Sequence, residues 1–252
     1  MTDTAPIVRE SIRHEPVART LRVVRTERLT STITRVTLGG DELAGFRAVG
    51  PEDHVKLVFP SPAGERITRD YTPARHSRDR GELDIDFVVH GDSGPATRFA
   101  RSAAPGDALV VAGPRGSRLA PQGVAKFVLL ADESSLPALA RWIEAVRFEA
   151  EVFAFVQSDS DDVLDYPLPT GDRVAVTRIG RSAEDALVAL GGPDLDTAYV
   201  WAAGEATALI PVRRRLRELG LGKDRAKVDG YWREGVAGLD HHAPLDPEHP
   251  ED

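Results

Sequence analysis

Near Gly123 the hydrophobic pattern of this chain changes period, and that change limits the available folds more than any other feature. Upstream, Val55, Leu57 and Phe59 are interleaved with His54, Lys56 and Val58. Leu83, Ile85, Phe87 and Val89 alternate with Asp84, Asp86, Val88 and His90, and Leu109 and Val111 repeat the pattern after the turn Pro105-Gly106-Asp107. A period of two buries one face of a strand and opens the other, as in an antiparallel sheet or barrel. Turn signals at Gly39-Gly40-Asp41, Ser61-Pro62-Ala63-Gly64 and Asp79-Arg80-Gly81 separate the runs.

Downstream, the apolar runs Phe127–Ala131, Val152–Val156, Val174–Ile179 and Ala198–Ala203 read as strands covered on both faces, with Lys227–Trp232 as the last. Helical spacing falls between them: Leu136, Leu139, Ile143 and Val146, then Leu209, Val212, Leu216 and Leu219. Ser182 and Asp185 form a capping box ahead of Ala186–Leu190. Alternation of strand and helix implies parallel pairing through helical crossovers. The predicted architecture is a flexible tail over residues 1–16, an antiparallel six-stranded barrel over 17–122, a doubly wound parallel α/β domain over 123–239 and a flexible tail over 240–252.

Composition removes several chemistries. The 252 residues include no Cys, which excludes disulfides, thiolate metal sites and a thiol nucleophile. The net charge of −8 with no basic stripe argues against nucleic-acid binding. Arg213, Arg214, Arg215 and Arg217 lie among helical apolar positions and read as a solvated face. His241-His242 is a pair in a tail and reads as no metal site. No apolar run reaches the roughly 18 residues of a membrane span, and Met1–Glu10 has no signal-peptide core. A soluble, cytoplasmic monomer without membrane insertion is expected.

Two segments carry ligand chemistry. In Arg69-Asp70-Tyr71-Thr72 an arginine can bind a diphosphate, a tyrosine can stack on an isoalloxazine and a threonine can hydrogen-bond the ring edge. A strand ending at His90 runs into Gly91-Asp92-Ser93-Gly94-Pro95-Ala96-Thr97, where glycine allows close approach and Pro95 suits a helix start. The free first-turn N–H groups make an anion site. Each segment also has a plain reading, as a loop arginine in an ion pair and as an ordinary glycine turn before a helix.

These stretches resemble the siderophore-interacting proteins, FAD-containing ferric-siderophore reductases. The resemblance runs from about Arg19 to Gly235 and is carried by Glu52–Pro60, Arg69–Arg75, Asp86–Ala100 (DFVVHGDSGPATRFA), Pro105–Ser117, Ala131–Leu139, Trp201–Ala206 and Gly230–Gly235 (GYWREG). It implies a ferredoxin-reductase-like fold, a barrel that binds FAD and a sheet that binds NAD(P)H. Arg69, Tyr71 and Thr72 would hold the flavin and its phosphates. Asp86, His90 and Gly91 would lie near it, and Gly94, Pro95, Ala96 and Thr97 would cradle the diphosphate.

In the second half no GxGxxG follows the first strand, so an ordinary dinucleotide turn is absent. Instead Ser134 or Ser135 is expected to cap a helix or donate to a pyrophosphate, with Asp132 and Glu133 facing ribose or solvent. Arg178, in Thr177–Arg181, can take a 2′-phosphate, although the acidic loop Ser158–Asp162 would repel one. The balance leans to NADPH. Gly204 and Glu205 end the fourth strand, where a nicotinamide can approach, and Trp232 is either a flavin cover or a core aromatic.

The implied reaction passes electrons from NAD(P)H to Fe(III)-siderophore and releases Fe(II), with ferredoxin as an alternative donor. The hydride chemistry belongs to the cofactors, so no protein acid, nucleophile or metal ligand is required. Lys56 and Arg233 are the candidates for an anionic siderophore, each weighed against a surface ion pair. The rival functions are a general flavin reductase and a non-catalytic flavin-containing siderophore-binding module.

Overall fold

Alternation upstream of Gly123 becomes one long antiparallel sheet in the computed structural model, which describes residues 7–60, 65–89, 94–240 and 243–250. The Ser61–Gly64 turn, His90, Gly91 and His241-His242 lie outside the described residues. The strands are β1 (Ser11–Arg13), β2 (Ala18–Arg28), β3 (Ile33–Gly39), β4 (Val55–Pro60), β5 (Arg66–Tyr71), β6 (Pro73–Ser77), β7 (Glu82–Val88), β8 (Ala108–Ala112) and β9 (Gly116–Arg118). Seven of them form a sheet in the order β5-β4-β8-β2-β3-β7-β6. The expected count was six. The extra strand arises because Thr72 splits Arg66–Ser77 into β5 and β6, which become the two edges of the curled sheet. The alternating residues Leu21, Val23, Val36, Leu38, Val55, Leu57, Phe59, Leu83, Ile85 and Phe87 fill its core. Helix α1 (Pro95–Ser102) packs into that core through Ala96, Phe99 and Ala100.

The second half is a five-stranded parallel sheet in the order β12-β11-β10-β13-β14. Its strands are β10 (Lys126–Asp132), β11 (Glu151–Gln157), β12 (Val174–Ile179), β13 (Ala198–Glu205) and β14 (Ala226–Trp232). The crossovers use α2 (Leu136–Val146), α3 (Ala183–Leu190) and α4 (Ala206–Glu218). Strand β10 shows the double winding residue by residue. Val128 and Leu130 join the cluster containing Ala186, Leu190, Leu209, Val212 and Leu216 of α3 and α4. Phe127, on the other face, meets Trp142 of α2 at 6.0 Å between ring centres. Strand order reverses between β10 and β13, so ligands of such a sheet lie at the carboxyl ends of these strands.

Two compact units result: Ser11–Leu119 together with Asp162–Pro167, and the remainder. Asp162–Pro167 follows β11 in the chain yet belongs to the barrel unit, because Tyr166 is 2% exposed there and donates its hydroxyl to Asp86 at 2.6 Å. The segments expected to be tails are partly folded. β1 pairs with β9, and the His14 ring bonds Ser117 Oγ at 2.7 Å, while Ser117 donates to Asp53 at 2.5 Å. Arg9 is buried, 4.8 Å over the Trp142 ring, and donates to the Tyr199 hydroxyl. At the other end Leu245 and Asp246 are buried, with Arg214 donating to the Asp246 carboxylate at 2.8 Å. A few apolar or paired side chains in each segment outweigh their polar, proline-rich composition.

Candidate functional site

In the barrel unit the site is built on β5 and α1. Register places Arg69 opposite Leu57 and Tyr71 opposite Val55, so both share the face of the buried β4 residues. Lys56 and Asp70 are paired on the other face, with Nζ 2.9 and 3.0 Å from the two carboxylate oxygens. The Tyr71 ring lies 4.7 Å from Phe87, Phe87 lies 6.0 Å from Phe99, and Phe99 lies 5.8 Å from Phe59. This run of rings fixes Tyr71 and α1 in one cluster. Burial pushes the Tyr71 phenol well above its ordinary value, with the Arg69 charge pulling the other way. Arg69 gives one guanidinium N–H to the Thr68 carbonyl at 2.8 Å, and Thr72 is buried at the junction of β5 and β6.

The start of α1 has the features of a helix end that could hold an anion. Gly94 is extended, among the described residues no side chain caps the helix, Pro95 stands in the first turn and no acid lies within that turn. Among the described residues, a Cβ on Gly94 would meet nothing within 4 Å. The first-turn N–H groups of Ala96 and Thr97 have no intrahelical acceptor, and the helix dipole adds partial positive charge. Asp86, expected near the flavin, has a structural role. It is 5% exposed, accepts both Arg35 bonds at 2.7 and 2.8 Å, and accepts the Tyr166 hydroxyl as well. His90 and Gly91 lie outside the described residues.

In the α/β unit the residues after β10 are arranged differently from the expectation. Asp132 and Glu133 are buried, 5% and 6% exposed, rather than turned to ribose or solvent. Asp132 is itself the helix cap: its Oδ1 accepts the N–H groups of Ser134 and Ser135 at 2.9 and 3.2 Å and the Ser134 hydroxyl, while Ser135 Oγ accepts the Asp132 N–H. The donors expected to meet a pyrophosphate are therefore satisfied within the turn, except the Ser135 hydroxyl, which donates to the Ala203 carbonyl of β13 at 2.7 Å. Glu133 accepts the Ser158 hydroxyl at 2.6 Å and lies 3.9 Å from Arg181. Gly204 has φ +154, and a Cβ there would stand 2.7 Å from Asp132 Cγ, so Asp132 is the neighbour that requires the glycine. Glu205 caps α4 by accepting the Ala208 N–H at 2.6 Å.

Trp232 Nε1 donates to Asp132 Oδ2 at 2.7 Å, which sets the indole across the strand ends. Arg233 donates to the Leu245 carbonyl at 2.7 Å. Arg178 lies 3.2 Å from Asp161 and is 39% exposed, and Arg181 is 41% exposed, so cationic donors remain at the end of β12. The sequence reading missed Arg35 and Tyr166, and it took Asp161 only as part of a repelling acidic loop, not as the partner of Arg178. Their partners lie on other elements, and no local period announces such pairs.

Residues 124–235 match the siderophore-interacting protein profile, and residues 22–68 and 63–118 match the siderophore-interacting FAD-binding domain. The chain is 32% identical to an NADPH-dependent ferric-chelate reductase of Escherichia coli (strain K12), over 91% of this chain and 98% of that protein. The crystal structure of a siderophore utilization protein from T. fusca matches with a TM-score of 0.83 and 39% identity, covering 94% of this chain and 100% of that one. A ferredoxin NADP+ reductase from Neisseria gonorrhoeae with bound FAD and NADP shares the fold, with a TM-score of 0.67 at 12% identity, over 85% of this chain and 99% of that one. Among the described residues no helix is long and apolar enough to cross a membrane.

Proposed function

Because this chain belongs to the siderophore-interacting protein family, we propose that it is an FAD-dependent NADPH:ferric-siderophore reductase that releases Fe(II) in the cytoplasm. The balance is one NADPH and two Fe(III)-siderophore complexes to NADP+, a proton, two Fe(II) and two iron-free siderophores. Bound FAD supplies the exchange between a two-electron hydride donor and a one-electron metal acceptor. Oxygen-rich siderophores favour hard Fe(III), so reduction weakens their hold on the iron.

The observation that carries this reading is the start of α1, where Gly94 is the N-cap, Pro95 opens the first turn and, among the described residues, no side chain caps the free N–H groups. In the proposal Arg69 and the N–H groups of Ala96 and Thr97 hold the diphosphate, Tyr71 stacks on the ring and Thr72 donates to its edge. Arg178 binds the 2′-phosphate of NADPH. Lys56 attracts an anionic siderophore after exchanging Asp70 for it, and Arg233 does so on leaving the Leu245 carbonyl. The chain acts as a monomer, and a reduced ferredoxin is the alternative donor.

The test mixes purified protein anaerobically with NADPH while flavin absorbance is recorded, then adds ferric tris-catecholate and hydroxamate complexes. The expected result is a yellow protein whose heat-released cofactor is FAD, bleached by NADPH and recoloured by ferric siderophore with stoichiometric Fe(II). Recolouring by free flavin or quinone but not by ferric siderophore would make it a general flavin reductase. Siderophore binding without bleaching would make it a binding module.

A further inference from the structure

At the end of β12, Arg178 NH2 lies 3.2 Å from Asp161 Oδ1, and its NH1 is 3.5 Å from the Ser158 carbonyl. The loop that brings Asp161 there is pinned at its base. Ser158 N–H donates to the Ile179 carbonyl at 3.1 Å, and Ser158 Oγ donates to the buried Glu133 and accepts the Ser160 N–H. Asp161 itself is 98% exposed, so its carboxylate is held near the guanidinium by loop geometry while remaining open to exchange with solvent or another anion.

We propose that Asp161 sets the nicotinamide-nucleotide preference by competing with the adenosine 2′-phosphate for Arg178. The inference rests on the reading above that this sheet edge takes the nucleotide. A phosphate monoester carries between about −1.5 and −2 at neutral pH and offers three acceptor oxygens, and arginine can bind it through two parallel hydrogen bonds. It therefore displaces an exposed carboxylate of single charge, but against a resident competitor that NADH never has to displace. An intramolecular anion in the apo site lowers apparent affinity for NADPH specifically and leaves the adenosine contacts common to both nucleotides untouched.

The test measures dissociation constants of NADP+ and NAD+ by isothermal titration on the FAD-loaded protein. Exposed ion pairs are worth about 0.2–1 kcal/mol, so Asp161→Asn should shift the ratio toward NADP+ by about 1.5- to 5-fold. Asp159→Asn makes the same charge change two residues away and should shift it less. In an Arg178→Ala background Asp161→Asn should leave the ratio nearly still, since the coupling of the pair is what a double-mutant cycle isolates. Equal shifts from Asp159→Asn and Asp161→Asn, or a shift that persists without Arg178, would mean a general field effect and overturn the proposal. No shift from Asp161→Asn, while Arg178→Ala weakens NADP+ alone, would overturn the proposal and leave the nucleotide reading standing. If Arg178→Ala weakens NAD+ and NADP+ equally, the reading of this edge falls, and the competition with it.

Discussion

His76 sits with its ring edge-on to Phe46, 5.0 Å between centres. Burial, followed by the charges of Arg78 and Arg19, holds its imidazole below the ordinary histidine value. A depressed folded value means that the fold prefers the neutral ring. The associated stability is fully present above about 6.5, the unfolded value, and is lost as pH falls through the folded value. Urea titrations at pH 7.5 and pH 5 should show the midpoint dropping in the native protein and dropping less in His76→Gln. An equal drop in both would place the acid sensitivity elsewhere. Lys56 poses a second question at this scale, since its ammonium is already paired with Asp70. Lys56→Ala should raise KM for an anionic ferric tris-catecholate several-fold at low salt. The effect should shrink near 0.15 M, where the Debye length is about 8 Å, and should be weaker for a neutral hydroxamate complex. Steady-state rates at two ionic strengths decide it, and an unchanged KM at low salt would leave Lys56 as Asp70's partner alone.

Among the elements, α1 depends on its neighbours more than on itself. It is eight residues long, and isolated helices of that length are marginal in water. Among the described residues no side chain caps its start, while Phe99 anchors it between Phe59 and Phe87. The start of the helix is thus held in place by aromatic packing one turn further along it. Phe99 is only partly buried, so Phe99→Ala should cost about 2 kcal/mol, below the 3–5 typical of a fully buried phenylalanine. It should also weaken FAD retention, because the helix N-terminus loses its fixed position. Denaturant midpoints of the apo protein and flavin release on dilution measure the two effects. Loss of stability with FAD binding intact would separate the anchor from the diphosphate site. The turn before α2 offers the contrast: Asp132 satisfies its first-turn donors internally, which makes it a rigid support for Trp232.

At the scale of the whole molecule, the chain order of segments and their membership in units diverge at Asp162–Pro167. Tyr166 places its hydroxyl on Asp86, and Asp162 accepts the N–H and hydroxyl of Ser31 at 2.5 and 2.8 Å. Tyr166→Phe removes one bond to a buried carboxylate that keeps Arg35, so it should destabilise the barrel by about 1.5–3 kcal/mol. Hydrogen exchange should show lost protection in β3 and β7, far from residue 166 in sequence; loss confined to β11 and β12 would refute the assignment of this segment to the barrel. The change of period at Gly123 was enough to predict an antiparallel half and a parallel half, because burial alternates with 2 in a half-covered strand and runs continuous in a strand covered on both faces. Arg69, Tyr71, Thr72 and Gly94–Thr97 stood out as candidates for a different reason, since a diphosphate would need cations and free N–H groups, and those leave a local signature. The partners of the charged residues were not. Asp86 finds Tyr166 across 80 residues, and Trp232 finds Asp132 across 100. Asp132 looked like a ligand and is a cap, and Leu245 looked like tail and is core. Periodicity reports which face of an element is buried, whereas the partner of a buried charge is chosen by which distant element arrives beside it, and only the folded chain contains that information.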